Sequence, residues 1–293
     1  MSGSLEGPVA RVGRAAEHYR TLKDELHGGV DFKFRPVITE RHADGLEYRF
    51  RVAEIEPLGP EWPLIIGEAY YNLRSALDHL VFQLHERRWR GRIPDDNRRI
   101  AENSQFPILD HRRKAKGGGF KPTEEWHDIR TLGKRERTAI EWLQPYRGGN
   151  SSLGLPGHGV KAMRSVLSDV SKLNNLDKHR SLHVVNTAPR SVYQPSFDRR
   201  FGFKQHPAFG IPLESDSYVD TWTFSIPPPT EQMDMHRGIY STVGIDPAGD
   251  RIMVLPNLGG SILGVAMLIT RFENRFPPIE SPLDLSWIRA RSG

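Results

Sequence analysis

The chain has 293 residues, with 41 Lys and Arg against 36 Asp and Glu, a formal net charge of +5, and no cysteine. A chain of this length can bury a substantial core without covalent staples. The lack of cysteine excludes disulfides, thiol chemistry and Cys-ligated zinc or iron–sulfur sites, so a metal would need His, Asp, Glu or Asn ligands. Neither a signal peptide nor a membrane-spanning apolar run is recognisable, which predicts a cytoplasmic protein without membrane contact.

Two local patterns near the start of the chain predict a helix followed by a β-hairpin. Residues 9–27 have the pattern of a helix, and Gly28-Gly29 is a common kind of helix terminus. Two strand-like runs follow over 31–40 and 46–55, and the turn residues Ala43-Asp44-Gly45 join them. The spacing therefore predicts an antiparallel hairpin.

The longest helical pattern covers residues 63–84 and has one apolar face. At about 100° per residue, one side collects the apolar residues Ile66, Ala69, Leu73, Leu77, Leu80 and Leu84. The opposite side collects Glu68, Asn72, Ser75, His79 and Gln83. Arg74 and Asp78 lie four residues apart on a third flank, close enough to pair, and Arg74 is about 140° around the helix from His79. This pattern predicts a helix with one buried face and two polar edges.

Two interpretations of the polar edges are open. An exposed helix commonly carries polar residues opposite its apolar face, and an Arg and an Asp four residues apart form an ordinary surface pair. An edge that only meets water usually carries Lys and Glu, whereas this edge is rich in short or neutral groups that both donate and accept hydrogen bonds. The second interpretation is that these side chains have specific partners.

Positive charge is concentrated in one stretch of the chain. Residues 86–137 contain 15 Lys or Arg and 9 Asp or Glu, so the remainder of the chain is close to neutral. The stretch follows the long helix directly, which places positive potential near the C-terminal end of that helix. The sequence thus predicts an anionic partner, RNA or another polyanion, against the alternative of a solvated arginine-rich loop. The residues predicted to bind it are Arg87, Arg88, Arg112, Arg113, Lys114 and Lys116.

The rest of the chain predicts further helices and then a region of short strands. Helices are expected over 133–144, 160–174 and 261–275, and a basic, glycine-containing loop over 91–122. Strands are expected over 181–186, 218–226, 238–245 and 251–255. These elements predict an α+β fold with a helical core, a long central helix, an N-terminal hairpin and a C-terminal antiparallel β region. Residues 1–180 would form the mainly helical part and residues 181–293 the β region with a closing helix, packed as one unit.

Three short motifs follow one another along the chain. The first motif is Asn72-Leu-Arg-Ser-Ala-Leu-Asp-His79, the second is Gln144-Pro-Tyr146, and the third is Asn175-Leu-Asp-Lys-His-Arg180. Their order and spacing resemble a widespread family of uncharacterised bacterial proteins over about residues 60–185. That resemblance implies no particular activity.

The spacing of Arg74 and His79 also resembles the Arg-x4-6-His signature of HEPN-domain ribonucleases. These are small helical bundles in which the Arg and His of two protomers meet across a dimer interface. The resemblance therefore implies a homodimer in which Arg74 and His79 are catalytic.

The leading hypothesis is a metal-independent, HEPN-like endoribonuclease without a cofactor, in a toxin or defence role. Attack of a 2′-hydroxyl on the adjacent phosphate needs a group that moves a proton and a cation that stabilises the developing charge. His79 suits the first role and the guanidinium of Arg74 the second. The supporting residues would be Glu68, Asn72, Asp78, Asp177, Lys178, His179 and Arg180. Five of these side chains would form one connected polar cluster: Asn72, Arg74, His79, Asp177 and His179.

A metal-dependent hydrolase is an alternative that uses the same residues differently. Asp177 and His179 lie two residues apart where a helix gives way to a strand. Together with side chains of the long helix they offer enough nitrogen and oxygen ligands for zinc, manganese or iron, the helix supplying His79, Asp78 and Glu68. An ion-paired junction over 177–180 accounts for the same residues without a metal.

A non-enzymatic binding protein is the other alternative. The helices would then form a core and a dimer interface, and the β region would present a face for a ligand or a polyanion. That face would include the aromatic residues Trp222, Phe224 and Tyr240, which the strand pattern also allows as core residues.

Overall fold

The computed structural model describes most of the chain, and for some segment ends only the backbone. The described residues are 5–27, 33–55, 58–110, 126, 129–147, 160–179, 182, 184–187, 198–207, 213–229, 238–245 and 252–273. The chain divides into two compact units made of separate segments. The helical unit comprises Met1–Tyr19, Ile65–Ser181 and Pro256–Gly293, and the sheet unit comprises Arg20–Leu64 and Leu182–Leu255.

The described residues form six α-helices, most of whose length belongs to the helical unit. They are α1 (Glu6–His27), α2 (Glu61–Arg88), α3 (Asp95–Glu102), α4 (Lys134–Trp142), α5 (Val160–His179) and α6 (Val254–Glu273). Together with the antiparallel strands described below, they confirm the predicted α+β fold class. The long helix that the sequence predicts over 63–84 is α2, which has 28 residues.

The length and position of α2 follow from its apolar repeat and its two ends. All six residues of the predicted apolar face are at most 2% exposed. Pro63 lies in the first turn, where a backbone N–H has no partner within the helix in any case. At the other end Arg90 and Gly91 have φ values of 52° and 76°, and Gly91 N–H donates to the Glu86 carbonyl at 2.8 Å. This left-handed turn ends the helix.

The sheet unit contains a seven-stranded sheet in which every pair of neighbours is antiparallel. The strands are β1 (Lys33–Arg41), β2 (Glu47–Val52), β3 (Val184–Thr187), β4 (Lys204–Pro207), β5 (Tyr218–Thr223), β6 (Gly238–Ile245) and β7 (Ile252–Met253). Their order is β3-β6-β1-β2-β5-β4, with β7 also paired to β6. β1 and β2 form the predicted hairpin, with Glu40 opposite Arg49. The hairpin and the later strands, which lie on either side of the predicted boundary at residue 180, therefore share one sheet.

Alternation along β2 gives this part of the sheet one buried and one exposed face. The buried residues are Tyr48, Phe50 and Val52. They pack in one apolar cluster with Trp222 and Phe224, which are 1% and 6% exposed. Two of the aromatic residues considered for a binding face are therefore core residues. The side chain of Tyr240 lies outside the described residues.

Two element boundaries differ from the sequence-based expectation. α3 lies within residues 91–122, where the sequence predicts a loop; Asp95 and Asp96 in its first turn favour the helix, but it buries only Ala101 and so leaves no apolar repeat to detect. α6 begins at Val254, whereas the sequence predicts a helix from Ser261; of the strand predicted over 251–255, Ile252–Met253 forms β7. The early start is compatible with Pro256, because proline fits the first turn of a helix.

Among the described residues, α6 is the one helix that is long and apolar enough to span a membrane. Core helices of globular proteins pass the same test of length and composition. Within the helical unit α6 packs closely on α5, since a Cβ added to Gly264 would lie 2.9 Å from both γ-carbons of Val166. Nine of its residues, from Val254 to Ile269, have no exposed surface or 1% at most, including the polar Ser261.

Candidate functional site

The segment Phe106–Leu109 is buried although it forms neither a helix nor a strand. A buried backbone outside regular secondary structure needs other hydrogen-bond partners, because each unpaired N–H or C=O costs about 1–3 kcal/mol. Side chains and backbone groups of the first and second motifs supply these partners.

In the first motif, Asp78 and Arg74 act together on this segment. Oδ1 of Asp78 accepts a hydrogen bond from the backbone N–H of Phe106 at 2.9 Å. The same oxygen lies 3.1 Å from Nη2 of Arg74, so these two residues, which their spacing places close enough to pair, form an ion pair. Nη2 of Arg74 also donates to Oε1 of Gln105 at 3.4 Å. Arg74 therefore holds the carboxylate that anchors the buried segment.

In the second motif, Gln144 is completely buried and uses both ends of its amide. Its Oε1 accepts from Leu109 N–H at 2.9 Å, and its Nε2 donates to the carbonyls of Pro107 at 2.8 Å and Ile140 at 3.0 Å. The backbone N–H of Tyr146 donates to the Leu109 carbonyl at 3.1 Å. The second motif is therefore a clamp on the same segment that the first motif holds. On its far side, Oδ1 of Asp110 accepts from Ser168 Oγ of α5 at 2.7 Å.

The remaining polar residues of the first motif have separate surroundings. Asn72, on the predicted polar edge, is buried, and its Nδ2 donates to the backbone carbonyl of Glu68 at 2.8 Å, so it has a specific partner and does not face water. His79 is exposed, and a Cβ added to Gly7 of α1 would lie 3.3 Å from its Nδ1. Arg74 and His79 thus make their described contacts on different flanks of α2.

The third motif ends α5 and is only partly described. The side chains of Asp177, Lys178 and His179, and the whole of Arg180, lie outside the described residues. Among the residues that are described, no three His, Asp or Glu side chains lie close enough to share a metal ion. The predicted metal ligands and the predicted five-residue polar cluster therefore stay predictions.

The arginines at the end of α2 divide between the interior and the surface. The Nη atoms of Arg87 are buried, and burial lowers the pKa of Arg87 while the carboxylate of Glu273 opposes that shift. Arg87 thus faces the interior instead of the surface on which the sequence places it. Arg88, Arg90 and Arg92 are exposed. The other residues predicted to bind a polyanion lie outside the described residues: Arg112, Arg113, Lys114 and Lys116.

A second basic stretch, residues 130–135, meets the end of α2. Thr131 Oγ1 lies 3.2 Å from Nδ1 of His85, and a Cβ added to Gly133 would lie 3.5 Å from Nη1 of Arg88. Between them the two stretches expose six cationic side chains, and none of the six forms an ion pair with another described residue. We call these residues the basic surface: Arg88, Arg90, Arg92, Arg130, Lys134 and Arg135.

A buried polar network joins three helices and has no counterpart in the sequence-based site. The hydroxyl of Tyr70 in α2 donates to Oδ1 of Asn257 in α6 at 2.6 Å, and Nδ2 of Asn257 donates to Oδ2 of Asp169 in α5 at 3.0 Å. Oδ1 of Asp169 is buried without a hydrogen-bond partner among the described residues. Burial raises the pKa of Asp169, although the hydrogen bond from Asn257 and the charge of Lys172 oppose the shift. The sequence carries one sign of this network: Asp169 is a charged residue directly before Val170, within the apolar repeat of α5.

Comparisons of the chain with protein families, curated proteins and solved structures find no significant match. The resemblances carried by the three motifs and by the Arg74 and His79 spacing therefore stay proposals.

The clamp formed by Gln144 predicts a large loss of stability on mutation. Gln144→Ala should lower the free energy of unfolding by about 2–4 kcal/mol, because it leaves the Leu109 N–H and the Pro107 carbonyl unpaired in the interior. Gln144→Leu restores the volume without the hydrogen bonds and should recover little of the loss. Gln83→Ala, a polar change on α2 outside the clamp, should stay within about 0.5 kcal/mol of wild type. Urea unfolding measures all three, and a fully stable Gln144→Leu variant would contradict the role of these hydrogen bonds.

The buried carboxylate of Asp169 predicts a pH-dependent gain from Asp169→Asn. A pKa raised above the ordinary value of 3.8 means that the folded protein binds this proton more tightly than the unfolded chain. The associated stability is present below that value and is lost as the pH rises through the folded pKa. Asp169→Asn keeps an acceptor for Asn257 without the charge, so it should be more stable than wild type at pH 7, with the difference vanishing near pH 3. Asp96→Asn, an exposed change on α3, should show no such trend in urea unfolding across this range.

Proposed function

We propose that this protein binds RNA through the basic surface of the helical unit. One observation carries the proposal: two basic stretches about 40 residues apart in the sequence meet at the end of α2 and expose six cations without described carboxylate partners. Clustered unpaired cations raise the local potential and attract a phosphate backbone.

The backbone conformation of Arg90 supports the same proposal. Its φ of 52° lies in the left-handed region, where a residue other than glycine costs about 1 kcal/mol. The arginine therefore lowers stability at a turn that glycine would form at less cost, and it adds an exposed charge to the basic surface. Strained backbone conformations concentrate at functional sites, which is what a binding role for this turn implies.

The clamp on residues 106–109 has a positioning role in this proposal. The segment held by Asp78 and Gln144 continues directly into the basic sequence of Arg112, Arg113, Lys114 and Lys116. A fixed starting point for that sequence limits the conformational entropy that RNA binding would have to remove. Asp78 of the first motif and Gln144 of the second would thus serve RNA binding by holding the backbone of this segment in place.

RNA binding should fall steeply with salt, and it should depend on the basic surface more than on net charge. Each phosphate contact to a single strand contributes about 0.7 to the slope of log affinity against log salt concentration. The triple variant Arg130→Gln, Lys134→Gln, Arg135→Gln should therefore lower that slope by about 2 and weaken binding at low salt. Fluorescence anisotropy with labelled RNA at several salt concentrations measures both quantities.

A matched control tests whether position matters. The triple variant Arg41→Gln, Arg199→Gln, Lys204→Gln removes the same charge from exposed residues of the sheet unit and should leave the slope unchanged. Arg90→Gly should weaken binding without lowering the stability of the protein, since glycine adopts the left-handed turn readily. Absence of RNA binding at low salt, or equal losses in the two triple variants, would reject the proposed function.

Metal-independent cleavage of the bound RNA by Arg74 and His79 is a second proposal. It is favoured by the exposure of His79, beside which Gly7 has no side chain, and by the fixed orientation of the Arg74 guanidinium against Asp78 and Gln105. Because the two side chains make their contacts on different flanks of α2, cleavage would require a second copy of the chain to complete the pair.

The cleavage proposal predicts that His79→Ala abolishes RNA cleavage and leaves stability unchanged, because His79 is exposed and contributes little to the core. Arg74→Ala should abolish cleavage and also lower stability, since it releases Asp78. Chelator should have no effect, and Ser75→Ala on the same helix is the control. The measurement is cleavage of a labelled RNA by each purified variant, and full activity of His79→Ala would rule out this mechanism.

A further inference from the structure

Trp142, at the C-terminal end of α4, is a large aromatic side chain that is 57% exposed. The guanidinium carbon of Arg147 lies 5.3 Å from the centre of the Trp142 indole ring and 5.8 Å from the centre of the Tyr146 ring. We call these three residues the stacking cluster. They combine flat aromatic surfaces with a planar guanidinium at one place on the helical unit.

The backbone of the stacking cluster is held in place from α5. Arg164 donates from Nε and Nη2 to the carbonyl of Trp142, at 3.0 Å and 2.7 Å, and from Nη1 to the carbonyl of Arg147 at 2.8 Å. Arg147 also forms an ion pair with Glu141, and this hydrogen-bonded carboxylate raises the pKa of Arg147. A ligand that stacks on Trp142 would therefore meet a preorganised surface and would lose little binding energy to ordering it.

We propose that the stacking cluster binds an unpaired base of single-stranded RNA, an inference that rests on the RNA-binding function proposed above. Tryptophan, tyrosine and arginine are the side chains on which exposed bases stack. Lys134 and Arg135 of the basic surface begin the same helix, about 12 Å from Trp142 at 1.5 Å per residue. A single strand can then place its phosphates on the basic surface and one base on Trp142. Duplex RNA stacks its bases on one another and offers none to Trp142.

The test compares the binding of three labelled RNAs of equal length: an oligoadenylate, a ribose-phosphate strand without bases, and a duplex. Trp142→Ala should weaken oligoadenylate binding about 5- to 100-fold, as expected for the loss of one stacked base. Trp142→Phe keeps a ring and should recover most of this affinity. Tyr71→Ala removes another aromatic side chain of the helical unit, 50% exposed on α2, and should bind like wild type.

The strand without bases separates stacking from charge. Wild type and Trp142→Ala should bind it equally, and the salt dependence of Trp142→Ala should match that of wild type because no phosphate contact is lost. Equal oligoadenylate affinity of wild type and Trp142→Ala, or an equal loss on the strand without bases, would overturn the stacking proposal while RNA binding stands. If wild type binds no RNA at low salt, the proposed function itself fails and the stacking proposal falls with it.

Discussion

The buried backbone of Phe106–Leu109 has to be hydrogen-bonded, and side chains from distant parts of the chain meet that requirement. Asp78 on α2 accepts a hydrogen bond from one backbone N–H of the segment. Gln144, two residues after the end of α4, accepts from another N–H and donates to a carbonyl. An unpaired group here would cost about 1–3 kcal/mol. The positions of α2 and of the end of α4 therefore constrain the path of the Phe106–Leu109 backbone. The two basic stretches lie on either side of this segment in the sequence.

This constraint changes the meaning of the motifs. Arg, Asp and Gln are residue types that also occur in catalytic sites. In this protein Asp78 and Gln144 form hydrogen bonds with backbone groups, and Arg74 forms an ion pair with Asp78. Carboxylate and amide groups suit this role because they accept from N–H groups, and an amide also donates to carbonyls. The clamp and the basic surface thus have different roles: the clamp hydrogen-bonds buried backbone, and the basic surface is exposed to solvent.

Two residues of the helical unit lower the stability of the fold. Arg90 takes a left-handed conformation at the surface, where its charge is available to a partner. Asp169 is buried with one oxygen unpartnered among the described residues, which raises its pKa and makes its ionised form costly in the fold. The first has a clear use in the proposed function because it is exposed beside other cations. The second joins α5 to α6 through Asn257, and its contribution is to fix how those helices pair.

The sequence by itself determined the elements whose signal is local. The apolar repeat of α2 and the hairpin turn before β2 depend on neighbours within a few residues, so their spacing is enough. It did not determine α3, which buries a single residue, or the inward turn of Asn72 and Arg87, which depends on what packs beside them. Only the tertiary structure decided that residues 130–135 meet the end of α2 and that Gln144 clamps Phe106–Leu109. Those contacts join residues about 35 to 50 positions apart. The periodicity of a sequence reflects local structure only, so it does not indicate which distant segments will pack together.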